Sequence, residues 1–150
     1  MKKIIVTLLL FFCSTFFSAA QSSERLSDLM ETDKISKGQA AYLTATLMNL
    51  VEESAGNQDA FAVLQEHKLF SAKDNPDDAI TIGHISLLYM KACGIKGGIL
   101  YTITKNRRYA FRELKARGIL PNQVTSTMLL SGLDALNLLN DCISKSEGAQ

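Results

Sequence analysis

Basic side chains concentrate between residues 91 and 117, and they are the groups in this sequence best suited to binding chemistry. Eight cations fall in this segment against one acid, Glu113. The cations are Lys91, Lys96, Lys105, Arg107, Arg108, Arg112, Lys115 and Arg117. Arg108, Arg112 and Lys115 follow each other at intervals of four and three residues, which places them on one face of a helix. Such a face attracts anionic partners, because guanidinium groups make charge-assisted hydrogen bonds to carboxylates and phosphates.

The acidic residues concentrate elsewhere, since residues 24–78 hold eleven acids and five bases. This segregation supports two interpretations. In the first, the cations bind an anionic partner, through Lys105, Arg107, Arg108, Arg112, Lys115 and Arg117. In the second, the cations form a solvated helix face that is balanced by the acidic first half of the same domain. Charge alone leaves both interpretations open.

Catalytic and metal-binding patterns are weak in this sequence. His67 and His84 are its two histidines, whereas a metal site needs several convergent ligands. His84 falls in the first turn of a predicted helix, which predicts an exposed side chain. Glu52 and Glu53 are neighbours and point to different helix faces, so they do not form a general acid–base pair. Without a nucleophile motif or a phosphate loop, we expect no enzyme activity, no cofactor and no metal.

The N-terminal segment has the organisation of a secretory signal. Two lysines precede an apolar run at 4–17, and three small residues follow it. The run is short for a membrane span, and Phe12 before Cys13 does not fit lipoprotein processing. We therefore predict a cleaved signal at 1–20, a single domain at 21–150, and export to the periplasm or cell surface. We expect contact with the membrane only through the signal before cleavage, and no nucleic-acid partner.

Two cysteines, Cys93 and Cys142, remain in the predicted mature chain. In an oxidising compartment an even pair favours one disulfide. The bond would close a loop of about 50 residues, and the chain-entropy argument gives it about 4 kcal/mol of stability. Cysteine is also a common small residue of protein cores, so two buried free thiols are the alternative.

A sequence pattern repeats along the predicted domain: a β-branched residue precedes Ser or Thr, and an apolar helical pattern follows. Ser36 lies in the first copy, Thr81 in the second at an offset of 45, and Thr125 in the third at a further offset of 44. Hydroxyl side chains at these positions can cap a helix N-terminus, and Ser36 with Gln39 forms a capping box. Each helix then carries an apolar stripe at spacings of three and four. The stripes are Ala40, Leu43, Leu47 and Leu50; Ile85, Leu88, Ala92 and Ile95; and Leu129, Gly132, Leu136 and Leu139.

A second kind of helix precedes the later two capped helices, at 59–68 and 106–117, and a shorter one is predicted at 24–31. Residues 97–104 fit neither kind, because their apolar residues alternate, which predicts a short extended piece or an irregular linker. The sequence therefore predicts an all-α fold. It would consist of three tandem helix–loop–helix repeats of about 45 residues, packed around one core as a pseudo-threefold bundle.

Two stretches show this unit most clearly, LQEHKLFSAKDNPDDAITIGHISLLYMKACGI and AFRELKARGILPNQVTSTMLLSGLDAL. They resemble the S-layer homology module, in which three tandem copies each contain a helix, a loop and a second helix that opens on an Ile-Thr-Arg-Ala-Glu-like motif. The resemblance implies a pseudo-threefold helical bundle that anchors envelope proteins to cell-wall polymer, with ligand contacts through the Arg of the motif. That position holds Lys37, Ile82 and Ser126 in this sequence, so Lys37 alone keeps the charge.

These features predict a non-catalytic cell-envelope module that binds an anionic cell-wall polymer or surface component, such as peptidoglycan. Binding would use the basic segment together with Lys37. One alternative is a protein-interaction or structural subunit of an envelope or appendage assembly, whose partner would be an acidic envelope protein. Another is a small enzyme that acts on cell-wall glycans, which needs a carboxylate pair that the sequence does not reveal.

Overall fold

A computed structural model of the protein describes residues 24–147, and within that range it contains seven helices and no strand. The helices are α1 (24–30), α2 (Lys37–Leu47), α3 (Asn57–Glu66), α4 (Ile82–Ala92), α5 (Ile99–Thr104), α6 (Arg107–Ala116) and α7 (Gly132–Glu147). The predicted all-α class is therefore confirmed. Within the described range, no helix is long and apolar enough to span a membrane. The predicted signal at 1–20 lies outside the described residues.

The first two capped helices begin where the sequence predicts. At α2, the Gln39 N–H donates to Ser36 Oγ at 3.1 Å, and the Ser36 N–H donates to Gln39 Oε1 at 2.9 Å. This is the predicted capping box, and it satisfies backbone N–H groups that the helix itself leaves free. Thr81 is the N-cap of α4, although its side chain makes no capping hydrogen bond. Gly94, with a φ of 63°, follows the end of α4.

The third capped helix begins later than predicted, because Ser131 and not Thr125 caps it. The Asp134 N–H donates to Ser131 Oγ at 3.1 Å, and Ser131 Oγ donates to Asp134 Oδ2 at 2.8 Å. Thr125 lies in the loop before α7. Ser131 makes the better cap because an acid follows it at the third position, as in a capping box, whereas Met128 holds that position after Thr125. The predicted stripe shifts accordingly: Leu129 lies outside the helix and is 41 % exposed.

Residues 97–104 contain a helix, so the predicted extended piece is wrong. The hydroxyls of Thr102 and Thr104 each donate to the carbonyl oxygen four residues earlier, at 3.1 and 2.6 Å. Threonine is β-branched and has a low helix propensity. Here each hydroxyl bonds to the preceding helical turn, which is a common arrangement for threonine within a helix. Lys105 then adopts a left-handed backbone conformation, with a φ of 45°, and ends α5.

Two helix pairs and their neighbours enclose one apolar core. Helix α3 packs on α2, and α6 packs on α4; α2 also contacts α4, α4 contacts α7, and α5 contacts α6. The largest fully buried apolar side chains are Tyr89, Ile35, Leu64, Ile80, Ile85, Leu88, Met90 and Leu114. Helices α3 and α6 match position by position at an offset of 50, since Phe61 corresponds to Phe111 and Leu64 to Leu114.

The segments that lead into α2, α4 and α7 are joined to one another by backbone hydrogen bonds. We call them the cap segments: 32–38, 76–83 and 126–132. The Ile80 N–H donates to the Ile35 carbonyl oxygen at 3.0 Å, and the Ile82 N–H donates to that of Met128 at 2.8 Å. The Ile35 N–H donates to the Leu130 carbonyl oxygen at 2.9 Å. Each cap segment is thus bonded to both of the others, and the three form a closed ring.

A glycine at the start of each capped helix allows this close approach. The N–H groups of Gly38, Gly83 and Gly132 donate to carbonyl oxygens of the neighbouring cap segment at 2.8, 2.9 and 2.8 Å. At Gly132 the fit is tightest, because an added Cβ would lie 1.7 Å from the carbonyl oxygen of Leu29 at the end of α1. A side chain at this position would therefore separate α1 from α7.

Candidate anion-binding surface

Helix α6 carries most of the predicted anion-binding residues, and its core contacts decide where they point. Ala110, Phe111 and Leu114 are buried against the core, so residues on the other faces of the helix project outward. Asn106 caps the helix by accepting a hydrogen bond from the Arg108 N–H at 3.1 Å. The helix therefore starts at the position that the sequence predicts.

Lys37 and Arg107 are engaged by carboxylates of the protein itself. Lys37 Nζ lies 2.8 Å from Asp74 Oδ1 and 3.0 Å from Asp78 Oδ2. Arg107 Nη2 lies 3.8 Å from Asp74 Oδ2. The Lys37 and Asp74 side chains are only 14 % and 15 % exposed, so a polymer ligand has little access to this predicted contact.

Burial works against the charges of this cluster, but the ion pairs outweigh it. Burial would lower the pKa of Lys37, yet its hydrogen bonds to Asp74 and Asp78 raise that pKa above its ordinary value. Burial would likewise raise the pKa of Asp74, yet Lys37, the Ser71 N–H and the charge of Arg107 lower it. Both groups stay charged at neutral pH, and their bond ties α2 to the loop before α4.

Two further predicted cations also bind within the protein. Lys115 Nζ donates to the Asn122 carbonyl oxygen at 2.7 Å and lies 5.1 Å from the ring centre of Phe111. Arg117 Nε donates to Glu113 Oε1 at 3.1 Å, one helical turn away. These contacts fix both side chains against the protein and use part of their hydrogen-bonding capacity.

Lys105, Arg108 and Arg112 remain from the predicted site. All three are exposed, and within residues 24–147 their side chains make no hydrogen bond and no ion pair. Lys105 ends α5, and Arg108 and Arg112 lie one turn apart on α6. The structure thus divides the seven predicted residues into four cations that the fold engages and three that stay unpaired in the described range. We call Lys105, Arg108 and Arg112 the basic surface.

The predicted site omitted the apolar residues beside the basic surface. Ile99, Leu100 and Ile103 of α5 are exposed, and the first two line a cleft of about 290 Å³ together with Arg112. The interval of four residues between Ile99 and Ile103 is a helical signal that could have revealed them. The alternation of both residues with Tyr101 favoured an extended interpretation instead.

His84 is buried, so its predicted exposure is wrong. Its Nε2 lies 3.0 Å from the Leu69 carbonyl oxygen, and its ring centre is 4.7 Å from that of Phe70. Burial lowers the pKa of His84 to about 4, although the hydrogen bond to Leu69 opposes the shift. The imidazole is therefore neutral at physiological pH and belongs to the core. The sequence pattern does not reveal this burial, because tertiary contacts enclose the first turn of α4.

Cys93 and Cys142 are free thiols that contact each other. A hydrogen bond from Cys142 lowers the pKa of the Cys93 thiol, against the effect of burial. The same contact, together with burial, raises the pKa of Cys142. The disulfide between them remains a prediction.

Comparisons with known proteins give no relative for this chain. No family model matches it, and no curated protein and no solved structure is significantly similar. Among residues 24–147, no three His, Cys, Asp or Glu side chains are grouped so that they could hold a metal ion. The resemblance to the S-layer homology module therefore remains a hypothesis about this sequence.

Proposed function

We propose that this protein is a non-catalytic module of the cell envelope that binds an anionic wall or surface polymer through the basic surface. The supporting observation is the division of its cations. Lys37, Arg107, Lys115 and Arg117 are engaged by acceptors of the protein, whereas the basic surface is exposed and unpaired within the described range. Cations that a fold does not use are available for charge-assisted hydrogen bonds. The predicted signal would deliver this surface to the periplasm or cell exterior.

We also propose that the bundle consists of three divergent repeats related by a pseudo-threefold axis, as in the S-layer homology module. The ring of hydrogen bonds between the cap segments and the glycine at each helix start support this proposal. The repeats are unequal, since α4 begins 45 residues after α2, and α7 begins 50 residues after α4. The polymer contact would lie on α6 and not at the motif position, where Lys37 is held in its ion pair.

Co-sedimentation with purified peptidoglycan sacculi tests the polymer proposal. The informative variant combines Lys105→Ala, Arg108→Ala and Arg112→Ala. A matched control combines Lys34→Ala, Lys68→Ala and Lys73→Ala, which removes the same charge from other exposed positions. The match extends to the backbone, because Lys68 and Lys105 both have positive φ, 58° and 45°.

The native protein and the control are expected to pellet with sacculi at low salt and to be released as salt rises, because exposed charges are screened. The basic-surface variant should bind at least about tenfold more weakly, since it loses three charge-assisted contacts. Equal binding by both triple variants would show that net charge and not this surface governs pelleting. Failure of the native protein to pellet would refute wall binding and direct attention to an acidic protein partner.

A further inference from the structure

Helix α5 is an addition to the helix-pair architecture. The connection from α4 to α6, residues 93–106, is five residues longer than the connection from α2 to α3, residues 48–56. Helix α5 occupies this additional length. Its Tyr101 side chain is buried, but Ile99, Leu100 and Ile103 are 79 %, 54 % and 75 % exposed. No described part of the protein covers these three side chains. A contiguous exposed apolar patch of this kind marks a surface that binds a partner or a membrane.

The apolar side of α5 is held firmly in position. The Gly98 N–H, at the start of the helix, donates to Glu113 Oε2 of α6 at 3.0 Å. Arg117, the C-cap of α6, donates to the Lys96 carbonyl oxygen, three residues before α5 begins. Tyr101 anchors the middle of the helix in the core. The apolar residues are therefore presented on a fixed element and not on a loose loop.

Cations lie beside this apolar side. Arg112 lines the cleft next to Ile99 and Leu100, and so does Glu113, whose carboxylate is bonded to the Gly98 N–H and to Arg117. Lys105 ends the helix two residues after Ile103. Lys91 also lies close, since burial and the charge of Lys105 both lower its pKa. An exposed apolar element flanked by cations complements an anionic bilayer surface, where acyl chains lie behind negatively charged headgroups.

We propose that α5 docks the protein on an anionic phospholipid bilayer. Ile99, Leu100 and Ile103 would enter the headgroup–acyl boundary while the basic surface neutralises lipid phosphates. This inference rests on the proposed function in one respect, because the same three cations serve both. It adds a second kind of ligand, a lipid bilayer, which differs from a wall polymer in having an apolar layer. It also replaces the expectation that the membrane is met only through the signal.

A second copy of this chain fits the surface less well. A symmetric dimer through α5 would place the same patch on both sides, and the six cations of the two basic surfaces would face each other. The apolar contact is also small, because a stable protein interface usually buries more than about 1,000 Å². An anionic bilayer offers the opposite charge, and its fluid surface does not require shape complementarity.

A tryptophan reporter tests the proposal in the full chain, because the protein has no tryptophan of its own. Ile103→Trp places the reporter on α5, and Leu133→Trp places a control at an exposed apolar position on α7. Each variant is mixed with vesicles of phosphatidylcholine and phosphatidylglycerol, and with vesicles of phosphatidylcholine alone. The local signal separates insertion of α5 from binding by any other part of the chain.

We expect the emission of the Ile103→Trp variant to shift to shorter wavelength with anionic vesicles only, and to be quenched by lipids brominated in their acyl chains. The Leu133→Trp variant should show neither effect. An unshifted spectrum at position 103 would overturn the proposal. A concentration-dependent shift without vesicles, accompanied by a dimer mass in sedimentation, would overturn it in favour of a second copy.

A pair of variants separates this inference from the proposed function. Replacing Ile99 and Ile103 with Ser should weaken vesicle binding by about tenfold or more, yet leave pelleting with sacculi unchanged. Replacing the basic surface with Ala should weaken vesicle binding by roughly a hundredfold and weaken pelleting with sacculi as well. Met30→Ser with Leu133→Ser, which removes two other exposed apolar side chains, should change neither. Undiminished vesicle binding after loss of the isoleucines would refute docking by α5 alone.

Discussion

The buried imidazole of His84 makes the free energy of unfolding decrease at mildly acidic pH. Its pKa is about 4 in the folded protein, below the ordinary 6.5, because burial disfavours the charged ring. Above pH 6.5 both folded and unfolded chains hold it neutral. Below that pH the unfolded chain takes up a proton that the folded chain refuses, so stability falls as pH decreases towards 4. Asp74 acts only at lower pH, because its pKa lies below its ordinary value of 3.8.

Denaturant unfolding at pH 7.5 and pH 5 checks this effect. The native protein should lose about 2 kcal/mol between the two values, from the His84 shift alone. His84→Gln should remove most of that difference, whatever it costs in stability at pH 7.5. His67→Gln, at the exposed histidine, should keep the difference. Identical pH dependence in both variants would mean that His84 is not the responsible group.

Residue-level prediction from sequence worked where the partners are close along the chain. Ser36 and Gln39 are three residues apart, so their capping box is readable from the sequence. The environment of His84 depends on the Leu69 carbonyl oxygen, which lies 15 residues earlier, just after the end of α3. In the same way, sequence reveals that Arg107 and Lys37 are charged, but not that Asp74 engages both. The sequence alone therefore could not divide the predicted site into cations that the fold engages and cations that stay unpaired in the described range.

At the level of helices, the contact between Cys93 and Cys142 links the end of α4 to α7. In an oxidising compartment we expect these thiols to form a disulfide, which would close a loop of about 50 residues and add about 4 kcal/mol. The intact mass of the oxidised protein should be lower than that of the reduced form by two hydrogen atoms, which the oxidant of the compartment removes as the S–S bond forms. Reductant should lower its melting temperature.

Cys93→Ser supplies the control for the disulfide, since the melting temperature of this variant should not respond to reductant. Cys93 is the better position to replace, because Cys142 is fully buried and a hydroxyl there would be costly. Two thiols that react with a maleimide in the denatured exported protein would contradict the prediction.

Helix prediction found α3 and α6, whose apolar residues have a clear helical period. It placed the start of α6 at its cap, Asn106, but began α3 two residues too late, because Gly56 caps that helix without a side chain. It failed for α5, because Ile99, Tyr101 and Ile103 also fit an alternating pattern and six residues are too few to separate the two periods. It misplaced the start of α7, because Thr125 resembles the earlier caps in its neighbours. Ser131 caps the helix because it pairs with Asp134. The offset of 44 to 45 residues between the predicted caps pointed to Thr125 instead.

At the scale of the whole molecule, the contact between Gly132 and α1 holds the two ends of the described chain together. Gly132→Ala would place a Cβ 1.7 Å from the Leu29 carbonyl oxygen. Because backbone atoms on both sides must move, we expect a loss of about 3 kcal/mol in the free energy of unfolding. Gly98→Ala, whose Cβ would meet nothing closer than 3.5 Å, should cost less than about 1 kcal/mol, mainly because alanine is a poorer N-cap than glycine at the start of α5.

Urea unfolding of both glycine variants measures this difference. Equal stability of Gly132→Ala and the native protein would mean that α1 does not rest on the start of α7. The sequence did not reveal this contact, because its pattern predicts helices and their caps but not how α7 meets α1. Hydrogen bonds between the cap segments decide that arrangement.

The ring of cap segments also has a consequence for the order of folding. Ile35, near the start of the domain, bonds to Leu130, and Thr32 bonds to Gly132, so the ring cannot close until the last helix is available. A nascent chain that lacks residues 126–132 cannot make these bonds, so the first two cap segments are paired only with each other. Under the proposed export, such late closure would leave the chain unfolded while it threads through a narrow translocation channel. The contact that completes the native state would then also delay folding until the C-terminal part emerges.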